Sequence, residues 1–222
     1  MINQLKLDRV LKRVEKPARY IGMEQNSIKK DLNNMSVKFA FSFPDVYEVG
    51  MSHLGMHILY NLINNDKNYA CERVFAPWID MEEEMRKEGI PLFSLENKEE
   101  VSNFDFLGFT LQYEMSYTNI LNILDLSNIP FKAKERDENY PLIIAGGPCA
   151  YNPEPLADFF DIFVIGEGEE VTLELIKLYE KHKSGNYNKE VYLKEAAQIQ
   201  GIYVPCFYDV SYNDDGTIKE MF

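Results

Sequence analysis

The sequence predicts an α/β fold: a doubly wound, Rossmann-like parallel sheet of strand order 2-1-3-4-5, with an N-terminal helical arm and a small C-terminal β extension. Three observations predict it. Five short apolar runs alternate with stretches of helical spacing. Two of those runs, residues 142–145 and 161–165, pass straight into glycines, as strands buried on both faces do at their carboxyl ends. Near the C-terminus Asn213-Asp214-Asp215-Gly216 is a hairpin turn between two β-prone stretches.

The elements follow in order. Residues 4–14 carry Leu5, Leu7, Val10, Leu11 and Val14 at near-helical spacing, and Pro17 ends the pattern before an extended arm. After the turn Asn33-Asn34, the stretch VKFAFSF (residues 37–43) is the first strand. It ends in Pro44-Asp45-Val46-Tyr47-Glu48-Val49-Gly50, and a helix over 52–63 follows with Leu54, Ile58, Leu59 and Leu62 as its buried stripe. Residues 69–75 form a second strand and 80–87 a charged helix stopped by Gly89. Residues 90–95 read as a short extra strand, 104–111 as the central strand, and Gln112-Tyr113-Glu114 leads into a helix over 116–126. The runs 142–145 and 161–165 come next, then helices over 169–183 and 189–198, with Gly185 and Asn186 between them. Residues 202–204 and 207–212 read as strand, and the return strand 217–222 is cut short, as expected of a segment of a longer protein. Three parts result: a basic helix and arm (1–35), the Rossmann-like domain (36–186), and a helix with a β-hairpin (187–222).

In such a sheet ligands bind at the carboxyl ends of the strands, which places the crevice between the first and third strands. The candidate site is therefore Tyr47, Glu48, Ser52 and His53 from the first loop, Gln112 and Tyr113 from the third, Gly146, Gly147 and Asn152 from the fourth, and Gly166, Glu167 and Gly168 from the fifth. The glycines permit close backbone approach, so Gly147→Val is expected to block a ligand more than it destabilises the fold.

Composition narrows the function. A hydrophobic content of 45% marks a globular protein, and the absence of any apolar run near the ~20 residues of a membrane span leads to an expected cytoplasmic location. The net charge of −13 argues against a nucleic-acid surface over the whole domain. Residues 1–30 nevertheless hold eight Lys/Arg against three acidic residues, a net of +5 that leaves −18 for the remainder. An arm lying on an acidic body or a neighbouring domain is the simplest account, with contact to RNA left open.

Several motifs fail on chemistry. Gly50-Met51-Ser52-His53-Leu54-Gly55 has the glycines of a phosphate loop, but Met56 and His57 stand where Lys and Ser/Thr are required. Gly166-Glu167-Gly168 has Val171 in place of the third glycine of a dinucleotide fingerprint, and Glu169 and Glu170 already suit that helix end electrostatically. The acidic pair and the Lys of a phosphate-accepting receiver are missing. His53 and His57 are four apart but have no third metal ligand, which favours packed or hydrogen-bonded histidines. Cys71, Cys149 and Cys206 fit no disulfide, zinc or iron–sulfur spacing; Cys149 beside the glycine pair has no histidine near it in sequence to serve as a base. Glu48, Glu114, Glu154, Glu167 and Glu169 share one sheet edge, either as an acid/base or cation site or as solvated loop charges, and both readings stay open.

The run from Pro44 to Gly55, the Gly146-Gly147-Pro148 turn, Asn152-Pro153-Glu154-Pro155, Gly166-Glu167-Gly168-Glu169 and the arm Lys16-Pro17-Ala18-Arg19-Tyr20-Ile21-Gly22 resemble the N-terminal part of B12-binding-domain-type radical SAM proteins. The resemblance covers nearly the whole chain. It implies a flavodoxin-like, cobalamin-binding-like module placed before a radical SAM barrel of the same parent chain, its partner; the barrel would carry the [4Fe–4S] cluster and S-adenosylmethionine, and the module would cover the barrel's mouth and help to shape the substrate site. The cluster's three closely spaced cysteines are absent here, so this segment alone is expected to be inactive and the parent protein to be a radical SAM enzyme. Members that bind cobalamin base-off carry an Asp-x-His-x-x-Gly loop. Neither His53 nor His57 fits it, whereas Gly146 and Gly147 match the glycine pair lying against the cofactor's nucleotide tail. Cobalamin without a histidine on cobalt therefore stays open. The alternatives are a free-standing small-molecule or corrinoid-binding module, and a self-contained hydrolase or transferase using the edge carboxylates.

Overall fold

The computed structural model describes residues 2–221; Met1 and Phe222, the last residue of the expected return strand, lie outside the described residues. An N-terminal helix α1 (Gln4–Val10) leads into β1 (Val37–Phe43), a one-turn α2 (Tyr47–Gly50), α3 (Leu54–Asn64), β2 (Tyr69–Phe75) and α4 (Ile79–Glu88). Then come β3 (Phe106–Thr110), α5 (Tyr117–Leu126), β4 (Leu142–Gly146), β5 (Ile162–Val164), α6 (Gly168–Lys183), α7 (Lys189–Ala196), β6 (Ile202–Tyr203) and the hairpin β7 (Val210–Tyr212) and β8 (Ile218–Met221). The main sheet runs β2-β1-β3-β4-β5-β6, with the first five strands parallel and β6 antiparallel to β5. The 2-1-3-4-5 order expected from the sequence is thus the order found.

Alternation along each strand divides two cores. Leu107, Phe109, Ile143 and Phe163 face α1, α4 and α5, where Leu7, Val10, Met81, Met85, Ile120 and Ile123 close the layer. Val37, Phe39, Phe41, Phe106, Ile144 and Val164 face α3, α6 and α7, met by Met56, Tyr60, Leu175, Ile176, Tyr192 and Leu193. Strands sheathed on both faces in this way carry near-continuous apolar runs, which is why they were legible.

Four expectations need correction. The buried stripe of α3 is Met56, Tyr60 and Ile63, while Leu54 and Ile58 point outward. Its polar residues His57, Asn61 and Asn64 occupy only a narrow arc, so the apolar arc is wider than the face the fold buries and periodicity did not fix which part of it turns inward. Helix α1 stops at Val10 rather than 14: the chain loosens into a turn, Val14 is still buried, and Arg13 reaches Glu84 and Glu88 on α4. Residues 90–95 form no strand. They run beside the free edge of β2 and make one backbone bond to it, Leu95 N–H donating to Arg73 O, while the Glu96 carboxylate accepts the Arg73 N–H at 2.8 Å. Asn64 covers the next residue pair on that edge through Cys71 N–H and C=O, so side chains seal the exposed ladder where a strand was expected. Finally, residues 202–204 and 207–212 do not act as one strand. Gly201, at φ +87°, turns the chain back so that β6 pairs with β5, and Pro205, which has no N–H to donate, ends the pairing before β7.

The basic arm lies on the acidic body. Arg13 bridges Glu84 and Glu88, Arg19 meets Glu48 at 2.8 Å, and the Lys30 ammonium donates to the carbonyls of Asn64, Asp66 and Tyr69. No helix of the described residues is long and apolar enough to cross a membrane.

Candidate functional site

Between the carboxyl-end halves of β1, β3, β4 and β5, the length of α3 and the first turn of α6 lies a crevice of about 190 Å³. Its floor is the inward face of the sheet: Phe39 and Phe41 from β1, Gly108 and Thr110 from β3, Ile144 from β4 and Val164 from β5. Leu59 and Ile63 of α3 form one wall and Thr172 of α6 the other, with His53, Gln112, Gly146, Gly147, Gly166 and Gly168 about its opening. The period-2 strands deliver every other residue to this face, and two glycines among them keep it open. Gly108 is glycine for packing: a Cβ there would sit 2.6 Å from the Phe39 ring, which stacks on Phe106 with centroids 5.5 Å apart. Pockets that enclose a drug-sized ligand usually hold about 300–1,000 Å³. This crevice can therefore enclose one planar ring system and leaves any larger body outside, over the sheet edge.

The glycine loops differ in what they tolerate. At Gly146 the backbone is extended, and a Cβ would meet only Val164, at 3.8 Å. Gly147 has φ +99°, and a Cβ would lie 3.0 Å from Leu111 O and 3.1 Å from Leu111 N. Leu111 N–H donates to Gly146 O and Cys149 N–H to Leu111 O, stitching the third and fourth loops together through this glycine. The expectation for Gly147→Val is therefore reversed: the substitution strains the left-handed backbone and pushes on Leu111 before it reaches a ligand.

Of the sequence-derived candidates, His53, Gln112, Gly146, Gly147, Gly166 and Gly168 come together on the crevice. The others are held elsewhere on the same edge. The Ser52 hydroxyl donates to Val49 O, Tyr113 and Asn152 are exposed, and Glu167 is the exposed residue preceding α6. Glu48 pairs with Arg19 and Lys16. Tyr47 donates its hydroxyl to Glu24 at 2.7 Å, away from the crevice. Sequence reasoning missed the floor residues because the strands read simply as core; Gly108, a glycine inside an apolar strand, was the available signal of a close approach.

Tyr47 belongs to an ionic cluster under the arm. Arg73, buried against the Tyr60 ring at 4.9 Å, donates to Glu96 at 2.6 Å and to Glu24 at 2.9 Å. Burial alone would raise the Glu24 carboxyl, but the Tyr47 hydroxyl and the Arg73 guanidinium outweigh it and hold it below its ordinary range. A depressed carboxyl contributes stability at pH values above its unfolded pKa and loses it as pH falls through the folded value. Urea unfolding is thus expected to show wild-type stability declining below about pH 4.5, with a shallower decline in Glu24→Gln; equal slopes would show that this carboxyl is not coupled to folding.

Each of the two histidines is held by a backbone hydrogen bond. His57 hydrogen-bonds Met51 O through Nε2 at 2.8 Å, and His53 Nδ1 accepts the Met56 N–H as the cap of α3. Among the described residues no three His, Cys, Asp or Glu side chains converge as a metal site. Burial pushes the Cys149 thiol up, and the Glu114 carboxylate beside it adds to this, the opposite of the environment that activates a nucleophile.

Residues 55–205 match the family described as the N-terminal region of radical SAM proteins. An uncharacterised protein of Methanocaldococcus jannaschii is 29% identical over 168 residues, a match covering 70% of this chain and 32% of that protein. The chain spans about a third of the length of this curated relative. No solved structure matches it.

Proposed function

The chain belongs to the family of radical SAM N-terminal regions, and from that premise we propose that it is a ligand-holding module that turns the carboxyl edge of its sheet toward the catalytic barrel of its parent protein. The observation that carries this is the crevice at that edge, on an edge whose loops also carry exposed apolar side chains. Leu54 follows β1, Trp78 and Ile79 follow β2, Tyr113 and Met115 follow β3, and Tyr151 follows β4; all six are exposed. Large exposed apolar residues on the loops of one sheet edge suit a surface that is covered by a partner. The barrel, with its [4Fe–4S] cluster and S-adenosylmethionine, is the covering element in this reading. Cys71, Cys149 and Cys206 lie on different elements, buried, half-buried and exposed, and supply no cluster site of their own.

The ligand proposed is a corrinoid held by its nucleotide tail. The apolar floor and the opening at Gly146 suit one flat ring system, with the corrin lying outside over the edge. An axial histidine does not fit. His53, the cap of α3, and His57 in its first turn are both engaged in hydrogen bonds to the backbone, and His53 Nδ1 is the acceptor in its bond. A corrinoid bound here would thus have no protein nitrogen on its metal.

Anaerobic titration with hydroxocobalamin and methylcobalamin, followed by the corrin absorption spectrum, tests this. Saturable binding is expected, with the same spectrum in wild type and His53→Asn. A spectrum of histidine ligation that disappears in His53→Asn would refute the coordination assigned here. Absence of binding would remove the corrinoid and leave the apolar edge as a contact surface only.

A further inference from the structure

Resting on the crevice as a ligand site, the position and tautomer of His53 carry a more specific conclusion. Its Nδ1 accepts the backbone N–H of Met56 at 3.1 Å. A backbone N–H can only donate, so Nδ1 carries a lone pair and the proton of the neutral ring sits on Nε2. The ring has little freedom: Phe43 packs against it with centroids 5.2 Å apart, and a Cβ on Gly55 would fall 2.9 Å from His53 Cε1. Residue 55 is glycine because the imidazole lies over it. His53 lines the crevice, and its Nε2 has no hydrogen-bond partner among the described residues.

We propose that His53 is a fixed hydrogen-bond donor at the opening of the crevice, and that it selects a planar nitrogen heterocycle presenting an acceptor atom to Nε2–H. The floor of Phe39, Phe41, Ile144 and Val164 offers aromatic and aliphatic faces to any flat ring and discriminates poorly among them. Discrimination comes from the donor, because a ring that buries Nε2–H without an acceptor leaves that group unpaired. With this tautomer Nε2 has no lone pair to offer a metal while the helix cap is intact.

The test uses benzimidazole, which has a bare ring nitrogen, and indole, a bicycle of similar shape whose nitrogen only donates. With three histidines in the chain, long-range proton–nitrogen correlation of histidine-labelled protein resolves each ring and should show His53 protonated on Nε2. Benzimidazole is expected to bind about tenfold more tightly than indole, the ratio one neutral hydrogen bond gives, and to shift the His53 Nε2 resonance. His53→Asn retains an acceptor for the α3 cap and should melt as wild type does while losing the preference. A proton on Nδ1, equal binding of the two rings, or a preference that survives in His53→Asn would overturn the role of His53. Equal binding that Gly146→Leu abolishes would do so while leaving the crevice a ligand site. If neither ring binds, or binding persists in Gly146→Leu, the crevice reading falls as well.

Discussion

Replacing Asp161 by alanine is expected to lower the melting temperature by about 10 °C, the largest effect of any single substitution considered. Its carboxylate is 2% exposed and accepts from Arg136 at 3.0 Å, from Ile143 N–H at 2.8 Å and from Lys189 at 2.8 Å. Arg136, whose side chain is fully buried, also donates to the carbonyls of Pro130, Phe131 and Phe159. One carboxylate thus joins the loop before β4, the start of β5 and the start of α7. Truncating it leaves two cations facing each other out of water and a strand N–H without an acceptor. Breaking a buried pair from one side costs about 3–5 kcal/mol, and a domain of this size shifts by roughly 2–4 °C per kcal/mol. Asp161→Asn, which still offers an oxygen to Ile143 N–H, should lose less. Thermal melts followed by circular dichroism check both, and a shift below about 2 °C for Asp161→Ala would show that the cluster is not structurally important.

The second large effect separates two adjacent glycines. Gly146→Leu should leave the fold intact, because the backbone at 146 is extended and its Cβ direction is free to within 3.8 Å. Its side chain enters a space of about 190 Å³, so corrinoid binding is expected to fall about a hundredfold or more, equivalent to roughly 2.7 kcal/mol. Gly147→Ala should do the reverse. An extended backbone at positive φ, φ +99° and ψ 179° here, costs a residue with a Cβ about 1–3 kcal/mol, and the Leu111 backbone stands 3.0 Å from the added atom. Melting temperature should drop, with affinity of the remaining folded protein little changed. Measuring both quantities on both variants decides the assignment. A destabilised Gly146→Leu with normal affinity, or a stable Gly147→Ala that cannot bind, would mean that the ligand sits elsewhere on the edge.

In the reading proposed above, a barrel of the parent protein would supply the cluster and S-adenosylmethionine, and the crevice is what this module would add. A ring held between α3 and α6, with the remainder of the molecule over an apolar edge, would be presented to the barrel without any covalent or metal bond from this domain. The arm, tied down through Arg13, Arg19 and Arg73, stabilises the β2 side of the sheet and is not directed at the crevice.

The sequence by itself determined the five parallel strands and their order, because strands covered on both faces require continuous apolar runs such as residues 37–43 and 69–75. It also determined the stops, since Gly89 and Gly147 take up backbone angles that side chains resist. Only the tertiary structure decided which face of α3 is buried, that Glu96 and Asn64 rather than a strand seal β2, and that β6 turns back antiparallel. It also decided which loop residues share the crevice and which, like Glu48 and Tyr47, are drawn off to the arm. The physical reason is range. Strand pattern and glycine conformation are properties of a few consecutive residues, whereas the rotation of a helix with a wide apolar arc and the partner of a carboxylate depend on groups tens of residues away. Arg73 and Glu96 meet across 23 residues, and Arg19 and Glu48 across 29.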